Sequence, residues 1–230
     1  MQERGHIMAV VAIDGPSGAG KSSVSRAIAA AFHWEYLDTG ALYRALTFFA
    51  LENQISSAHQ IPALIGRDGI QWFGDPGKPE IRLSGRNINN EIRSVAVTDR
   101  VSEIAADPLV RSYLLTLQRT IINTASRGIV VEGRDIGTTV WPDAELKIFL
   151  TADLQARAER RNAELASSYS DSEIEYSLAK RDSIDSTRSA SPLRKSDDQI
   201  TIDATHLSLE EVVAVISKQI LDLKLDSSGE

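Results

Sequence analysis

The chain alternates short, continuously apolar runs with longer segments in which apolar residues recur at helical spacing. The first run has no polar residue before Asp14, which is typical of a strand that is buried on both faces of a parallel sheet. This alternation predicts an α/β fold, with a parallel sheet of about five strands flanked by helices. The predicted strands are Ala9–Ile13, Glu35–Leu37, Ile129–Val131, Leu146–Leu150 and Gln199–Asp203.

The first and last helices have the clearest apolar faces. The first is predicted to run from Lys21 to Phe32, with Val24, Ala27, Ile28 and Ala31 on its buried stripe. The last is predicted to run from Leu209 to about Leu225, because Ser208 and Glu211 have the spacing of a capping box. Its predicted buried face consists of Val212, Val215, Ile216 and Ile220.

Residues 66–93 break the alternation of strands and helices. They are rich in glycine and proline, and they contain short alternating runs at Ile70–Trp72 and Ile81–Leu83. This pattern predicts a small antiparallel insert within one α/β domain. We expect that domain to cover residues 8–225.

The segment Gly15–Ser22 fits the P-loop pattern G-x-x-x-x-G-K-[ST] and lies between a predicted strand and a predicted helix. Its glycines let backbone N–H groups turn inward around phosphate oxygens, and the following helix adds its positive end. The alternative, a glycine-rich turn with a stray lysine, does not account for this context. The predicted ATP-binding residues are Gly15, Pro16, Ser17, Gly18, Ala19, Gly20, Lys21, Ser22, Ser23 and Arg157.

Two of these side chains have specific predicted roles, as in P-loop proteins generally. Lys21 is expected to reach the β- and γ-phosphates of ATP, and the Ser22 hydroxyl is expected to bind Mg²⁺. The Asn-Lys-x-Asp sequence expected of a GTPase does not occur in the chain. The pattern therefore favours a P-loop NTPase fold that uses ATP.

Polar segments follow two of the predicted strands. Asp38–Arg44 comes after the second strand, and Glu132–Asp135 comes after the third. Open α/β sheets bind ligands at the carboxyl ends of their strands, so both segments should face the bound ATP. Arg44 and Arg134 are either bidentate ligands for the phosphate of an acceptor or members of structural salt bridges.

A stretch at about residues 157–188 is rich in arginine. Arg181, Asp185 and Arg188 stand at i, i+4 and i+7 and so lie on one helix face, while three arginines cluster within one turn near Arg157. These side chains form either surface ion pairs or a mobile lid that neutralises charge on the transferred phosphoryl group. The predicted catalytic residues are Lys21, Arg134, Arg161 and Arg188.

The four histidines are scattered and form no constellation that would supply a general base. A phosphate oxygen is already ionised at neutral pH, so a kinase whose acceptor is a phosphate needs no such base. The sequence is therefore compatible with direct transfer to a phosphorylated acceptor.

Composition narrows the class of protein. The formal net charge of -7 argues against a broad nucleic-acid surface, and no apolar run approaches the roughly 20 residues of a spanning helix. The absence of cysteine is compatible with a reducing compartment, so we expect a cytoplasmic protein. We also expect that it is not attached to a membrane and that it acts as a monomer. Residues 1–7 and 226–230 are expected to be disordered.

Five ordered motifs together resemble the bacterial cytidylate kinases of the nucleoside-monophosphate kinase group. The resemblance runs from about Met8 to Ile220. The motifs are Ile13–Lys21, Asp38–Arg44, Glu91–Arg93, Glu132–Asp135 and Lys180–Asp182 continuing to Arg188.

The resemblance implies an insert at about residues 66–100 that helps to close over the pyrimidine nucleotide, between core segments 8–65 and 101–225. It implies that Ser102, Arg111 and Asp135 read cytosine and that Thr39 also contacts the nucleotide. It further implies a phosphate site at Arg44, Arg134 and Arg188 and a ribose site at Arg181 and Asp185. Glu132 stands where some relatives have Asp, and Thr39 where some have Ser.

The expected reaction transfers the terminal phosphoryl group of Mg²⁺-bound ATP to CMP or dCMP. A P-loop kinase for another small acceptor is the nearest alternative. A nucleotide-dependent binding protein without an acceptor is the alternative from a different class. The set of Arg44, Arg134 and Arg188 argues against it.

Overall fold

The computed structural model describes residues 9–66, 69–165 and 170–226. Residues 1–7, and residues 227–230 of the end predicted to be disordered, lie outside the described residues. So do residues 67–68 of the predicted insert and residues 166–169 of the predicted lid.

The first two strands each lead into a helix. Strand β1 (Val10–Asp14) is buried throughout and continues through the P-loop into α1 (Lys21–Ala31). Strand β2 (Glu35–Asp38) leads directly into α2 (Thr39–Glu52). The Asp38 carboxylate caps α2 by accepting a hydrogen bond from the amide of Ala41 at 3.0 Å, so strand and helix meet without a connecting loop.

The middle of the chain contains the predicted antiparallel insert. After α3 (Ile61–Ile65) come β3 (Ile70–Phe73), β4 (Glu80–Leu83) and β5 (Arg86–Asn87), which pair in that order as a three-stranded sheet. Helices α4 (Val95–Ala106) and α5 (Pro108–Thr124) follow. The turn between them is tight because the Asp107 carboxylate accepts from the first amides of α5.

The last third of the chain completes the main sheet. Strand β6 (Ile129–Gly133) is followed by a π-helical turn at Ile136–Val140 and then by β7 (Leu146–Thr151). The remaining elements are α6 (Leu154–Leu165), α7 (Asp171–Thr187), β8 (Ile200–Asp203) and α8 (Leu209–Asp222).

The five long strands form one parallel sheet in the order β2-β6-β1-β7-β8. Asp14 pairs with Gly133 and Asp38 pairs with Glu132, so the carboxyl ends of three strands meet at one edge. Both the predicted parallel sheet and the predicted antiparallel insert are confirmed. Successive β1 residues alternate between two apolar layers, with Val10 and Ala12 on one face and Val11 and Ile13 on the other.

Helix faces differ from the prediction in detail. In α1, Ala31 is exposed, Ala27 is half-buried, and Ser25 and Ala29 are buried instead, so the buried stripe is rotated by about one residue. In α8, Val215 is 43% exposed, although the other three residues of its predicted face are buried. Apolar spacing locates a face to within one residue, and the neighbouring elements then decide which residue at its edge is covered.

Two of the predicted segment boundaries, one of the insert and one of the lid, fall inside helices. Residue 100 lies within α4 and residue 157 lies within α6. Helix α8 ends at Asp222 rather than at Leu225, and its capping box at Ser208 and Glu211 is confirmed. In the described ranges, no helix has both the length and the apolarity that a membrane span requires.

Candidate active site

The P-loop backbone takes a path that requires glycine at two positions. Gly15 has a φ of 153°, and a Cβ atom there would lie 2.0 Å from the carbonyl oxygen of Leu150 on the neighbouring strand. Gly18 has a φ of 78° and would bring a Cβ atom to 3.1 Å from the Arg157 carbonyl oxygen. The loop therefore depends on glycine for its close approach to β7 and α6.

Lys21 is buried at the start of α1, and its Nζ donates to the carbonyl oxygen of Pro16 at 2.7 Å. Burial, followed by the nearby Arg134 guanidinium, lowers the pKa of Lys21 to about 7. The carboxylates of Glu132, Asp14 and Asp185 act in the opposite direction. An ammonium held at this low pKa gains from a phosphate anion, which compensates the charge that burial disfavours.

The next residues of α1 are suited to Mg²⁺. Ser22 and Ser23 are exposed on its first turn, and Ser22 lies beside the buried Glu132 carboxylate, which accepts from the Tyr36 hydroxyl at 2.5 Å. Among the residues described, no three His, Cys, Asp or Glu side chains gather as a metal cage. Mg²⁺ in phosphate sites needs few protein ligands because water and substrate oxygens fill the remaining positions. A serine hydroxyl with one nearby carboxylate fits that requirement.

Helices α6 and α7 contact the P-loop through an ion pair that sequence reasoning did not identify. The Arg157 Nη1 donates to the Ser17 carbonyl oxygen at 3.0 Å and pairs with the carboxylate of Asp182. Asp182 Oδ1 also accepts from the Ser17 amide at 3.2 Å. The two side chains thus grip both polar groups of one P-loop residue. Asp182 stands next to Arg181 in the motif Lys180–Asp182, and its place in that motif was the sequence signal that could have identified it.

The three clustered arginines of α6 do not act together. Arg157 contacts the P-loop, whereas the Nη2 of Arg160 donates to the Ala204 carbonyl oxygen at 2.5 Å, at the end of β8. Arg161 lines a different cavity, described below. Arg160 and Arg161 are consecutive, so their side chains leave the helix about 100° apart. Arg157 shares their side of α6 but is held by Ser17 and Asp182, so the three side chains reach different partners.

A cavity of about 90 Å³ lies at the carboxyl edge of the sheet. It is called here the small cavity. Every residue predicted to bind CMP lines it except Arg181. Its lining includes Thr39, Arg44, Ser102, Arg111, Arg134, Asp135, Asp185 and Arg188.

One end of the small cavity holds a buried ion pair. Arg111 Nη2 lies 2.5 Å from Asp135 Oδ2, and Arg111 Nη1 donates to the Ala105 carbonyl oxygen at 3.2 Å. The guanidinium carbon also lies 5.5 Å from the centre of the Tyr43 ring. These contacts fix a carboxylate and a guanidinium side by side, a donor–acceptor pair that can read the edge of a base.

Two further arginines of the small cavity share one carboxylate. Arg134 Nε donates to Asp185 Oδ2 at 2.8 Å, and Arg188 Nη1 donates to Asp185 Oδ1 at 3.4 Å. The Nη2 of Arg188 is buried and makes no hydrogen bond, with Asp135 Oδ1 at 3.6 Å. A buried guanidinium nitrogen with unused donors favours an anion in the cavity.

Arg44 and Thr39 connect this cavity to the rest of the fold. Arg44 Nη1 donates to the Thr98 hydroxyl at 3.0 Å and to the Ile92 carbonyl oxygen at 3.2 Å. Burial, followed by the charge of Arg181, lowers the pKa of Arg44 to about 10, which leaves it a cation at neutral pH. The Thr39 hydroxyl donates to the Glu132 carbonyl oxygen at 2.7 Å and so ties α2 to β6.

A second cavity, of about 270 Å³, lies between α4 and helices α6 and α7 and is called here the large cavity. Helices α6 and α7 overlap the predicted lid and are called here the lid helices. Arg161 and Arg181 both line it, together with Arg93 and Asp99. Arg181 Nη2 donates to the Thr98 carbonyl oxygen at 3.0 Å. Thr98 therefore contacts Arg181 on one side and Arg44 on the other, and it links the two cavities.

Comparison with known proteins identifies the family of the chain. The family model described as "Cytidylate kinase" matches residues 11–222. Cytidylate kinases of Streptomyces avermitilis and Carboxydothermus hydrogenoformans are each 48% identical to the chain, the first over 90% of both chains and the second over 89% of this chain and 93% of its own.

A crystal structure of an uncharacterized protein from Eubacterium ventriosum resembles the fold, with a TM-score of 0.52 at 12% identity. It covers 92% of this chain and 98% of its own, and it supports the fold alone. The family match, in contrast, spans almost all of the described residues and includes the P-loop, the small cavity and the lid helices. On this evidence, the chain is a member of the cytidylate kinase family.

Proposed function

We propose that the chain transfers the γ-phosphoryl group of Mg²⁺-bound ATP directly to the phosphate of CMP or dCMP. The products are ADP and CDP or dCDP. The observation that supports this proposal most strongly is the small cavity, in which Arg134 and Arg188 lie beside an Arg111–Asp135 pair at the same sheet edge as Lys21.

On the donor side, the P-loop from Gly15 to Ser23 holds the phosphates of ATP with its amides, and Lys21 reaches the β- and γ-phosphates. Arg157 belongs to this side because it contacts Ser17. Ser22, with the Glu132 carboxylate beside it, would hold Mg²⁺. The ion would supply positive charge that offsets the charge of the phosphates.

On the acceptor side, the Arg111–Asp135 pair reads the base. Cytosine presents an N4 amino group that donates to Asp135 and O2 and N3 atoms that accept from Arg111. Uracil presents O4 at the first position and would set an oxygen against the carboxylate. Leaving a buried polar group unpaired costs about 1–3 kcal/mol, which corresponds to a preference for CMP of tens-fold. Ser102 lines the same cavity and is proposed to contact the base as well.

The phosphate of the acceptor is held by Arg44, Arg134 and Arg188, with Arg181 and Asp185 toward the ribose. Asp185 orients Arg134 and Arg188 through the two hydrogen bonds described above. An oxygen of the acceptor phosphate forms a bond to the γ-phosphorus, and the bond between that phosphorus and the β,γ-bridging oxygen breaks. The electron pair leaves with ADP, and no proton has to be removed.

Closure completes the proposed site. The lid at about residues 157–188 brings Arg161 and Arg188 to the transferred group, and the insert at about 66–100 covers the nucleotide. Residues of both segments already meet where Arg181 donates to the Thr98 carbonyl oxygen. Closure would exclude water, which otherwise competes with the acceptor for the phosphoryl group.

A panel of acceptors tests the proposal. ADP release is measured with CMP, dCMP, UMP, AMP and shikimate under the same conditions. We expect CMP or dCMP to give the highest kcat/KM, with UMP lower by about tenfold or more. A preference for AMP or shikimate would indicate another P-loop kinase, and ATP binding without transfer to any acceptor would contradict an enzymatic function.

A further inference from the structure

Asp14, the last residue of β1, is buried completely and its carboxylate takes part in none of the contacts discussed above. Its Oδ1 accepts from the amide of Ile136 at 2.7 Å, and its Oδ2 accepts from the amide of Gly137 at 2.9 Å. These two amides follow Asp135 directly in the chain. One buried carboxylate therefore holds the turn that carries the residue proposed to read cytosine.

The other side of the same turn is fixed as well. The carbonyl oxygen of Asp135 accepts from the amides of Thr139 and Val140 at 2.9 and 3.1 Å, within the π-helical turn. Such turns are rare and occur frequently at functional sites. With Asp14 on one side and these amides on the other, the main chain of Asp135 has little freedom to rotate.

Gln199, just before β8, completes the environment of the carboxylate. Its Nε2 donates to Asp14 Oδ2 at 2.9 Å, and its Oε1 accepts from the amide of Ser196 at 2.9 Å, which orients the side-chain amide. A Cβ atom at Gly137 would lie 3.0 Å from the same Nε2. The turn after Asp135, the end of β1 and the residue before β8 therefore all pack around the Asp14 carboxylate.

We infer that Asp14 is a positioning residue for the acceptor: as a carboxylate it fixes the turn at Ile136–Gly137 and thereby aims Asp135 at the base. This inference rests on the function proposed above. CMP affinity and CMP-over-UMP selectivity then depend on the ionised form of Asp14. Protonation removes the negative charge that strengthens its three hydrogen bonds and adds a buried O–H that needs an acceptor of its own.

The charge state of Asp14 changes within an accessible pH range. Burial, and to a smaller extent the neighbouring Asp135, raises the pKa of Asp14 to about 6. The hydrogen bonds from Ile136 and Gly137 act in the opposite direction. The charged groups nearby are Asp135 after β6 and Lys21 on α1, whereas Lys147 on β7 turns its ammonium to Asp198. Gln199 contributes a neutral donor.

The sign of the stability effect separates positioning from a merely structural role. Because the folded-state pKa lies above the ordinary value of 3.8, protonation of Asp14 favours the folded chain between about pH 4 and about pH 6. Acidification over this interval should therefore weaken CMP binding without any loss of thermal stability from this group.

The experiment compares the full chain with Asp14→Asn. An amide must turn its own donor toward at least one of the three N–H groups, so we expect KM for CMP to rise about tenfold at pH 7.5 and CMP-over-UMP selectivity to fall by a similar factor. KM for ATP should rise less than KM for CMP, because Asp14 is one of three carboxylates that favour the charged form of Lys21. Asp143→Asn, an exposed carboxylate ahead of β7, is the matched control and should match wild type.

The pH profile gives a second readout. The phosphate of CMP itself titrates near pH 6, so the quantity to compare is the ratio of KM for CMP in Asp14→Asn to that in wild type at each pH. We expect this ratio to fall toward one below about pH 6, because wild-type Asp14 is then protonated. A ratio that stays constant from pH 5 to pH 8, or unchanged selectivity, would overturn the inference.

Gln199→Glu keeps the test valid if Asp14→Asn folds poorly. A second carboxylate against Asp14 raises its pKa, so KM for CMP should be high at pH 7 and recover toward pH 9, whereas uncharged Gln199→Met should show no such recovery. Identical profiles of the two variants would count against the inference. Calorimetry of CMP and UMP binding to wild type distinguishes a failure of the proposed function from a failure of the role of Asp14. If wild type does not prefer CMP over UMP, the proposed function is wrong. If wild type prefers CMP and the variants keep that preference, only the role of Asp14 is wrong.

Discussion

The P-loop and the small cavity stand at the same edge of the sheet, yet they are built from different parts of the chain. The P-loop is one continuous segment, Gly15–Ser22, and the phosphate contacts proposed for it come mostly from the main chain. The small cavity takes its side chains from α2, α4, α5, the end of β6 and the end of α7. The donor end is therefore a property of a local sequence, whereas the acceptor end exists only after the fold has formed.

The electrostatics of the two regions differ in the same way. At the donor end, Lys21 is a buried cation without a paired carboxylate in contact, and its pKa is lowered to about 7, chiefly by burial. At the acceptor end, Arg134 and Arg188 are held by Asp185, and Arg111 is held by Asp135. At the acceptor end these three arginines each have a carboxylate partner and form one network, so removing one member disturbs the others.

Lys21→Ala should have the largest effect, because it removes the only side chain of the P-loop proposed to reach the γ-phosphate. We expect kcat to fall at least about a hundredfold with the fold retained. The loss should be equal for CMP and UMP, since the change lies at the donor end. Steady-state kinetics with both acceptors measure this, and exposed Lys218→Ala on α8 is the control. Near-normal turnover would remove the P-loop assignment.

Arg188→Met should act on the acceptor end alone. It removes the guanidinium whose Nη2 has unused donors in the small cavity and leaves a side chain of similar length. We expect kcat/KM for CMP to fall by about thirty- to a hundredfold with little change in KM for ATP. Exposed Arg194→Met is the matched control. An equal rise in both KM values would mean that the two regions are not independent.

Asp135→Asn should change selectivity more than rate. The amide keeps the shape of the side chain but presents a donor to the base, which suits O4 of uracil and not N4 of cytosine. We expect the CMP-over-UMP ratio of kcat/KM to fall by about tenfold or more. Competition between the two acceptors in one reaction measures the ratio directly, and a ratio equal to that of wild type would assign the base contact to another residue.

The difference between the continuous P-loop segment and the small cavity, which is assembled from several elements, explains which features the sequence alone could predict. The P-loop and the five strands were predictable because apolar runs and the Gly-Lys-Ser pattern are local signals. The position of Arg44 and Arg134 at the sheet edge followed from the order of strands and helices, and the resemblance to a family supplied Ser102 and Arg111. The binding roles of these residues are the proposals made above.

Features that depend on distant partners escaped prediction. The ribose role predicted for Asp185 stays a prediction, but local spacing did not indicate that its carboxylate is shared by Arg134 and Arg188. Arg160 turns away to the Ala204 carbonyl oxygen, although it is adjacent in sequence to Arg161. Asp14 gave no signal beyond its place at the end of β1, because its partners come from residues more than a hundred positions away.

The smallest predicted effect concerns Asp182, which connects the P-loop to the lid helices. Asp182→Asn keeps an oxygen that can accept from the Ser17 amide but loses the charge that holds Arg157 against the Ser17 carbonyl oxygen. We expect KM for ATP to rise about three- to fivefold, because this partly exposed ion pair contributes modestly, and KM for CMP to stay near wild type. Exposed Asp197→Asn is the control. Tighter ATP binding in Asp182→Asn would reverse the interpretation, since the carboxylate would then be competing with phosphate for the Ser17 amide.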